Sequence, residues 1–258
     1  MKAEEIINAL DLPPDALVHQ RVPKKLLLEN GAPTSADKRR INEGIEELRW
    51  IASLKPTTVG IADYRDASRE YLEIAIVHMS LRDEAVVGRL TELVHRAIPY
   101  PVVLVAEIGE SASMSLAHKR WSEGAAGKTV LDGELITADS NPADDPRLWT
   151  SYLEALSLRR QPRNDLNVLY QGWIDSLVAL AAARITDSFV LPVSAEQAAA
   201  RRTSLREYSR LETEIARLRA AAQSEIQLPR RVELNLEMKR RQAELTDSAR
   251  DLRLEGHK

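Results

Sequence analysis

AEQAAARRTSLREYSRLETEIARLRAAAQSEIQLPRRVELNLEMKRRQAELTDSARDLRLEGHK, residues 195–258, decides how the end of this chain is built. In its first half Tyr208, Leu211, Ile215, Leu218 and Ala222 recur at alternating spacings of three and four. That is the seam of one helix packed along another. Leu234, Met238, Leu245, Ala249 and Leu252 repeat the pattern less regularly in the second half. Pro229 lacks an N–H and disfavours helix at Leu228, which predicts two arms rather than one unbroken helix. Each arm is then roughly 25 residues, or about 35 Å at the helical rise. The segment reads as a coiled-coil helical hairpin, a device for docking a partner or a second copy more often than an active site.

Working back toward the N-terminus, Asp165–Ile185 and Arg147–Leu158 also carry helical spacing, with Trp173, Leu177, Leu180 and Ala181 on the buried face of the longer one. The loop NPADDP, residues 141–146, precedes them. Before it the period changes. Thr57–Ala62, Glu70–Met79, Pro101–Ile108, Ser111–Arg120 and Lys128–Thr137 read as strands, the third and fourth joined as a hairpin by Gly109-Glu110. Glu84–Ala97 between them reads as a crossover helix. Thr34 or Ser35 caps a further helix whose apolar face runs through Ile41, Ile45, Leu48 and Ile51 to Lys55-Pro56. The expected fold is α/β (α+β). A small mixed sheet with flanking helices spans 1–140, a helical subdomain packed on it spans 141–194, and the hairpin spans 195–258.

Composition narrows the function classes. The 258 residues contain no cysteine, which removes disulfides and thiolate metal sites and fits the cytoplasm. The N-terminal MKAEEIINAL is acidic where a signal peptide is basic, and the longest apolar run, Ser176–Ala183, is too short to cross a bilayer. The net charge of −3 gives no global pull toward nucleic acid or membrane. It is uneven, with 14 Lys/Arg against 11 Asp/Glu from Ala195 onward, so the tail is +3 and the rest −6.

Motifs of catalysis are missing or incomplete. Gly124–Thr129, GAAGKT, ends like a phosphate-binding loop, but Ser122 stands where such a loop has its first glycine, which leaves a turn. His78 and His95 lack partners at ligand spacing. A nuclease of the two-carboxylate-plus-lysine type would draw on Asp63, Asp66, Glu73 and Glu107, yet neither strand acid is followed by the required lysine. No cofactor or metal site is expected. Two basic clusters are candidates for nucleic-acid contact. Lys24, Lys25, Lys38, Arg39 and Arg40, with Arg21, flank the Asn30 turn, and His118, Lys119 and Arg120 stand beside Trp121. Arg159, Arg160 and Arg163 make a smaller patch.

RVPKKLLLEN (21–30), TSADKRRINEGIEELRWIASLKP (34–56), AIPYPVVLVAE (97–107), SLAHKRW (115–121), LYQGWIDSLVALAAARIT (169–186) and RRVELNLEMKRR (230–241) occur in order over nearly the whole chain. Together they resemble an uncharacterised bacterial family catalogued as a domain of unknown function. The resemblance implies genes set beside helicases and DNA methyltransferases in restriction-like, phage-defence islands, and it carries over no catalytic residue. The resulting expectation is a non-catalytic accessory subunit of a helicase/methyltransferase-type system. It would hold a protein partner along the seam of Tyr208, Leu211, Ile215, Leu218, Leu234, Met238 and Leu245, and bind DNA weakly by itself. The alternatives are a degenerate or unrecognised nuclease and a homodimeric scaffold with no nucleic-acid role.

Overall fold

The computed structural model describes residues 2–125 and 127–253. Helix α1 (Lys2–Ala9) is followed by strand β1 (Leu17–Arg21), helices α2 (Lys24–Asn30) and α3 (Ser35–Gly44), and strand β2 (Ile45–Leu54). A short helix α4 (Pro56–Val59) and the paired strands β3 (Tyr64–Arg65) and β4 (Glu70–Tyr71) come next. Then follow β5 (Ile74–Leu81), α5 (Val87–Ala97), β6 (Val102–Ile108), β7 (Ser111–Trp121) and β8 (Thr129–Asp139). Helices α6 (Pro146–Ala155), α7 (Leu166–Thr186), α8 (Ala195–Ser224) and α9 (Leu228–Asp251) complete the chain. It divides into two compact units, Met1–Leu177 and Val178–Lys258. The last five positions of the expected hairpin segment, 254–258, lie outside the described residues, as does Ala126 of the Gly124–Thr129 motif.

The first unit is built on a six-stranded sheet of order β1-β2-β5-β6-β7-β8. Only β5 and β6 are parallel, joined through α5, and the other neighbours are antiparallel. The mixed sheet with one crossover helix is therefore as the sequence predicts. β5 and β6 are near-continuous apolar runs because both faces of the sheet are covered there. On one face Ala75, Val77, Met79, Val102 and Leu104 pack with Leu27 of α2, Ile41 of α3 and Leu90, Leu93 and Val94 of α5. On the other, α1 lies on β6 and β7, and the Tyr152 hydroxyl of α6 reaches Met114 Sδ at 3.4 Å.

Two expectations are corrected. The helix starting at Thr34 does not continue to Lys55. It ends at Gly44, where a Cβ would stand 2.8 Å from Leu90 Cδ1, and Ile45–Leu54 is a strand. The strand carries a bulge between Ile45 and Glu47 and another between Trp50 and Ala52. A bulge inserts one residue, so positions three apart land on one face. Ile45 opposes Leu81 and Leu48 opposes Met79, both on the core side. The spacing of three thus imitates a helix. Thr57–Ala62 is not a strand either. It holds α4, with Pro56 in the first turn and Gly60 at φ 65 after the last. Proline at the start and glycine past the end is a helix signature readable in the sequence itself.

In the second unit α8 and α9 pack on each other as the predicted hairpin. The break falls at Glu225–Gln227, and Pro229 sits inside the first turn of α9 rather than between the arms. Its missing N–H costs nothing there, since the first N–H groups of a helix have no intrahelical partner. Among the described residues no helix is long and apolar enough to cross a membrane.

Candidate functional site

The N-terminal basic residues are divided by their local structure. Thr34 caps α3, its Oγ1 accepting from Asp37 N at 3.1 Å. Asp37 is buried and takes a two-pronged pair from Arg89 of α5, Nε to Oδ1 at 2.9 Å and Nη2 to Oδ2 at 2.8 Å. The bonds from Arg89 and from Thr34 hold its carboxyl well below the usual range. Arg40 joins the same carboxylate at 3.3 Å. Lys24 donates from Nζ to Asn42 O at 3.2 Å, and Arg82 Nη1 donates to the same carbonyl at 3.1 Å. Both cations thereby satisfy the C-terminal end of α3. Burial, then Arg82 and Arg21, push the Lys24 pKa down. Lys25 and Arg39 make only exposed pairs one helical turn away, to Glu29 at 3.7 Å and Glu43 at 3.9 Å.

Arg39, Arg40 and Arg82 line a cleft of about 510 Å³ between the end of α3 and the loop that follows β5. Glu43, Asp83 and Glu84 line it too. Three cations face three carboxylates, so the cleft is a mixed-charge surface rather than an anion trap.

The His118–Trp121 strand end is split by the pleat, because successive side chains of a strand point to opposite faces. His118 hydrogen bonds through Nδ1 to the Tyr71 hydroxyl and through Nε2 to Gln171 Oε1 at 2.8 Å. Gln171 Nε2 donates to Asp175 Oδ1 at 2.8 Å. A carboxylate oxygen accepts, so this bond orients the amide, makes Gln171 Oε1 the acceptor from His118 Nε2–H, and leaves Nδ1 to accept from Tyr71. Burial raises the Tyr71 pKa and keeps that hydroxyl protonated. The neighbouring Tyr170 hydroxyl accepts from Ala117 N at 3.0 Å and donates to Val102 O at 2.7 Å. His118 is therefore engaged at both nitrogens.

Lys119 faces the other way and is 4% exposed. Its ammonium donates to His95 O at 2.7 Å and to Ile98 O, at the C-terminal end of α5. Burial pushes its pKa down to about 7. Beside it His95 is fully buried, bonded through Nε2 to Ser115 Oγ at 3.0 Å, and burial with Lys119 nearby lowers its pKa to about 3. His118 and Arg120 are both half-buried, and Arg120 pairs with surface acids, with Nη1 3.0 Å from Glu123 and Nε 3.8 Å from Asp132. Tyr71 of β4, with Gln171 and Asp175 one turn apart on α7, completes this cluster, and none of the three belongs to a motif in the sequence.

The carboxylates weighed for a nuclease do not converge. Asp66 accepts from Tyr64, Ser68 and Arg69 within its own turn. Glu73 is held by Ser53 and lies 3.4 Å from Lys55 Nζ. Glu107 accepts from Ser80 Oγ at 2.9 Å and stands 3.3 Å from His78 Nε2. Among the described residues no group of three or more His, Asp or Glu is disposed to hold a metal ion.

In the hairpin, Leu211, Ile215, Leu218 and Ala222 are buried, with Tyr208 half-buried above them. Across from them Leu234, Met238, Arg241 and Leu245 are half-buried. Arg241 Nε bonds Glu214 Oε1 across the seam at 3.0 Å. A second apolar row was not anticipated. Leu228, Val232 and Leu236 follow one another at spacings of four along α9 and are 61%, 49% and 54% exposed. Ile226, in the turn before them, is 94% exposed.

A protein-family model described as "Domain of unknown function (DUF4391)" matches residues 10–245. No curated protein and no solved structure matches the chain.

Proposed function

The chain belongs to the DUF4391 family, and from that footing we propose that it is a non-catalytic accessory subunit of a bacterial antiviral-defence or restriction-type assembly. It docks a helicase or DNA-methyltransferase partner through the tip of its C-terminal hairpin. The resemblance supplies the kind of assembly, and the hairpin supplies the mode of attachment. The supporting observation is the row of Ile226, Leu228, Val232 and Leu236, exposed although the seam between the two helices is already filled. Spacings of four along one helix make a continuous stripe, which is how an amphipathic helix presents anchors to a groove. Arg231, Glu233, Glu237, Lys239 and Arg240 are exposed on the same helix, so the partner's groove is expected to be apolar with a rim of mixed charge. DNA contact is assigned to Lys25, Lys38 and Arg39 on α2 and α3 and to Arg120 on β7. It adds weak, salt-dependent affinity within the assembly.

The test is the double variant Val232→Gln/Leu236→Gln in the full chain. Exposed positions of this kind change stability by within about 0.5 kcal/mol each, so the melt should be unchanged. Co-purification with the helicase or methyltransferase encoded beside the gene should be lost. Retention of both partners by the variant would overturn the assignment. A wild-type dimer by light scattering that becomes a monomer in the variant would instead establish the homodimeric scaffold.

A further inference from the structure

The Arg120-Trp121 strand end and Gly127 and Thr129 of the glycine-containing motif have no part in docking through the hairpin, although Arg120 is assigned above to DNA contact. The fold brings these four residues together. Arg120 and Trp121 end β7, Gly127 and Thr129 lie across the connection into β8, and all four line one cleft of about 170 Å³ with Tyr100 and Arg69. We infer that this cleft binds a nucleotide, with its base against the Trp121 and Tyr100 rings and its phosphate on Arg69 and Arg120. The inference does not rest on the hairpin.

Arg69, Lys119 and Arg120 line the cleft with Glu70 and Glu73, and the two guanidiniums are the groups able to receive a phosphate. Arg69 Nη2 and Arg120 Nε share the carboxylate of Asp132, at 2.9 and 3.8 Å, and Arg69 Nε also lies 4.0 Å from Asp66. The other partner of Arg120, Glu123, is highly exposed, and such pairs are weak and easily displaced. Both acids of the lining are paired, Glu70 with Arg65 at 3.8 Å and Glu73 with Lys55 at 3.4 Å. Lys119 also lines the cleft, but its amine is committed to the His95 and Ile98 carbonyls at the end of α5. Gly127 adopts φ 72 with nothing near the place of a Cβ, so the backbone is open to close approach. Guanidinium groups recognise phosphate, and aromatic rings stack on any base, so the site recognises the nucleotide as a class rather than one base. The same chemistry is offered by a free mononucleotide and by an unpaired nucleotide of a single strand.

The test is calorimetric titration of the full-length protein with a deoxynucleoside monophosphate, the matching nucleoside and a short single-stranded oligonucleotide. Binding of the monophosphate identifies a free nucleotide as sufficient, and binding of the oligonucleotide alone identifies an unpaired strand. Trp121→Ala should weaken the binding probe by at least about tenfold, with Trp121→Phe restoring most of it. Arg120→Gln should weaken the phosphorylated probes severalfold and leave the nucleoside unchanged. The Phe variant and a thermal melt of each protein separate loss of the site from loss of the fold. Absence of binding by every probe to the wild type, or equal binding by wild type, Trp121→Ala and Arg120→Gln, would overturn the assignment.

Discussion

The sheet of the first unit and the hairpin of the second bury their apolar residues in opposite styles. β5 and β6 lose both faces to helices, so Ala75–Val77 and Val102–Val105 are without exposure on either side. The hairpin buries one seam, and α9 keeps Leu228, Val232 and Leu236 in solvent. Polar groups follow the same division. In the sheet unit His118, Gln171, Tyr170 and Trp173 are tied into a hydrogen-bonded interior, whereas most hairpin ion pairs are exposed one-turn contacts. The first style makes a unit whose stability is internal. The second makes one that still has apolar surface for another molecule to cover.

Four substitutions and one pH series can break or sharpen this contrast. The largest effect is expected in the sheet unit. Trp173 is fully buried and donates from Nε1 to Leu156 O at 2.8 Å, so Trp173→Ala should cost about 3–5 kcal/mol. Denaturant unfolding measures it, and a loss below that of any hairpin variant would reverse the comparison.

Next comes acid. His95 is neutral in the fold because its pKa lies near 3 instead of its ordinary 6.5. Below pH about 6.5 the unfolded chain takes up a proton that the folded chain refuses. This contribution is therefore fully present above pH 6.5 and declines toward pH 3, by up to about 1.4 kcal/mol per pH unit. His95→Gln should flatten the decline between those values in unfolding midpoints. An unchanged slope would place His95 in a protonated, solvent-linked state.

The hairpin should respond less to equivalent damage. Ile215→Asp puts a charge into a seam with one open side and should cost about 3 kcal/mol. Pro229→Ala should cost about 1 kcal/mol or less, because the proline only pre-sets the first turn of α9. Thermal melts rank the pair, and a larger loss for Pro229→Ala would mean that the turn, not the seam, holds the arms together.

Much of this arrangement was legible. The seam at Leu211, Ile215 and Leu218, the buried run Val102–Val105 and the β6–β7 hairpin each follow from spacing or from a local turn. The strand Ile45–Leu54 was not, since its two bulges shift the pleat and mimic helical spacing. Nor was the fate of His118, Lys119 and Arg120. Their adjacency suggested one basic corner, but the pleat sends Lys119 to α5 and leaves His118 to Tyr71 and Gln171.

By itself the sequence determined the fold class, the hairpin and the absence of any thiol chemistry, because apolar period and composition are properties of neighbouring residues. Only the tertiary structure decided which cations stay exposed, which apolar stripe of α9 stays uncovered, and which distant side chains share a cleft. Those outcomes depend on what stands across each strand or helix. A partner such as Arg89 for Asp37, or Gln171 for His118, is brought in from tens of residues away and leaves no local trace.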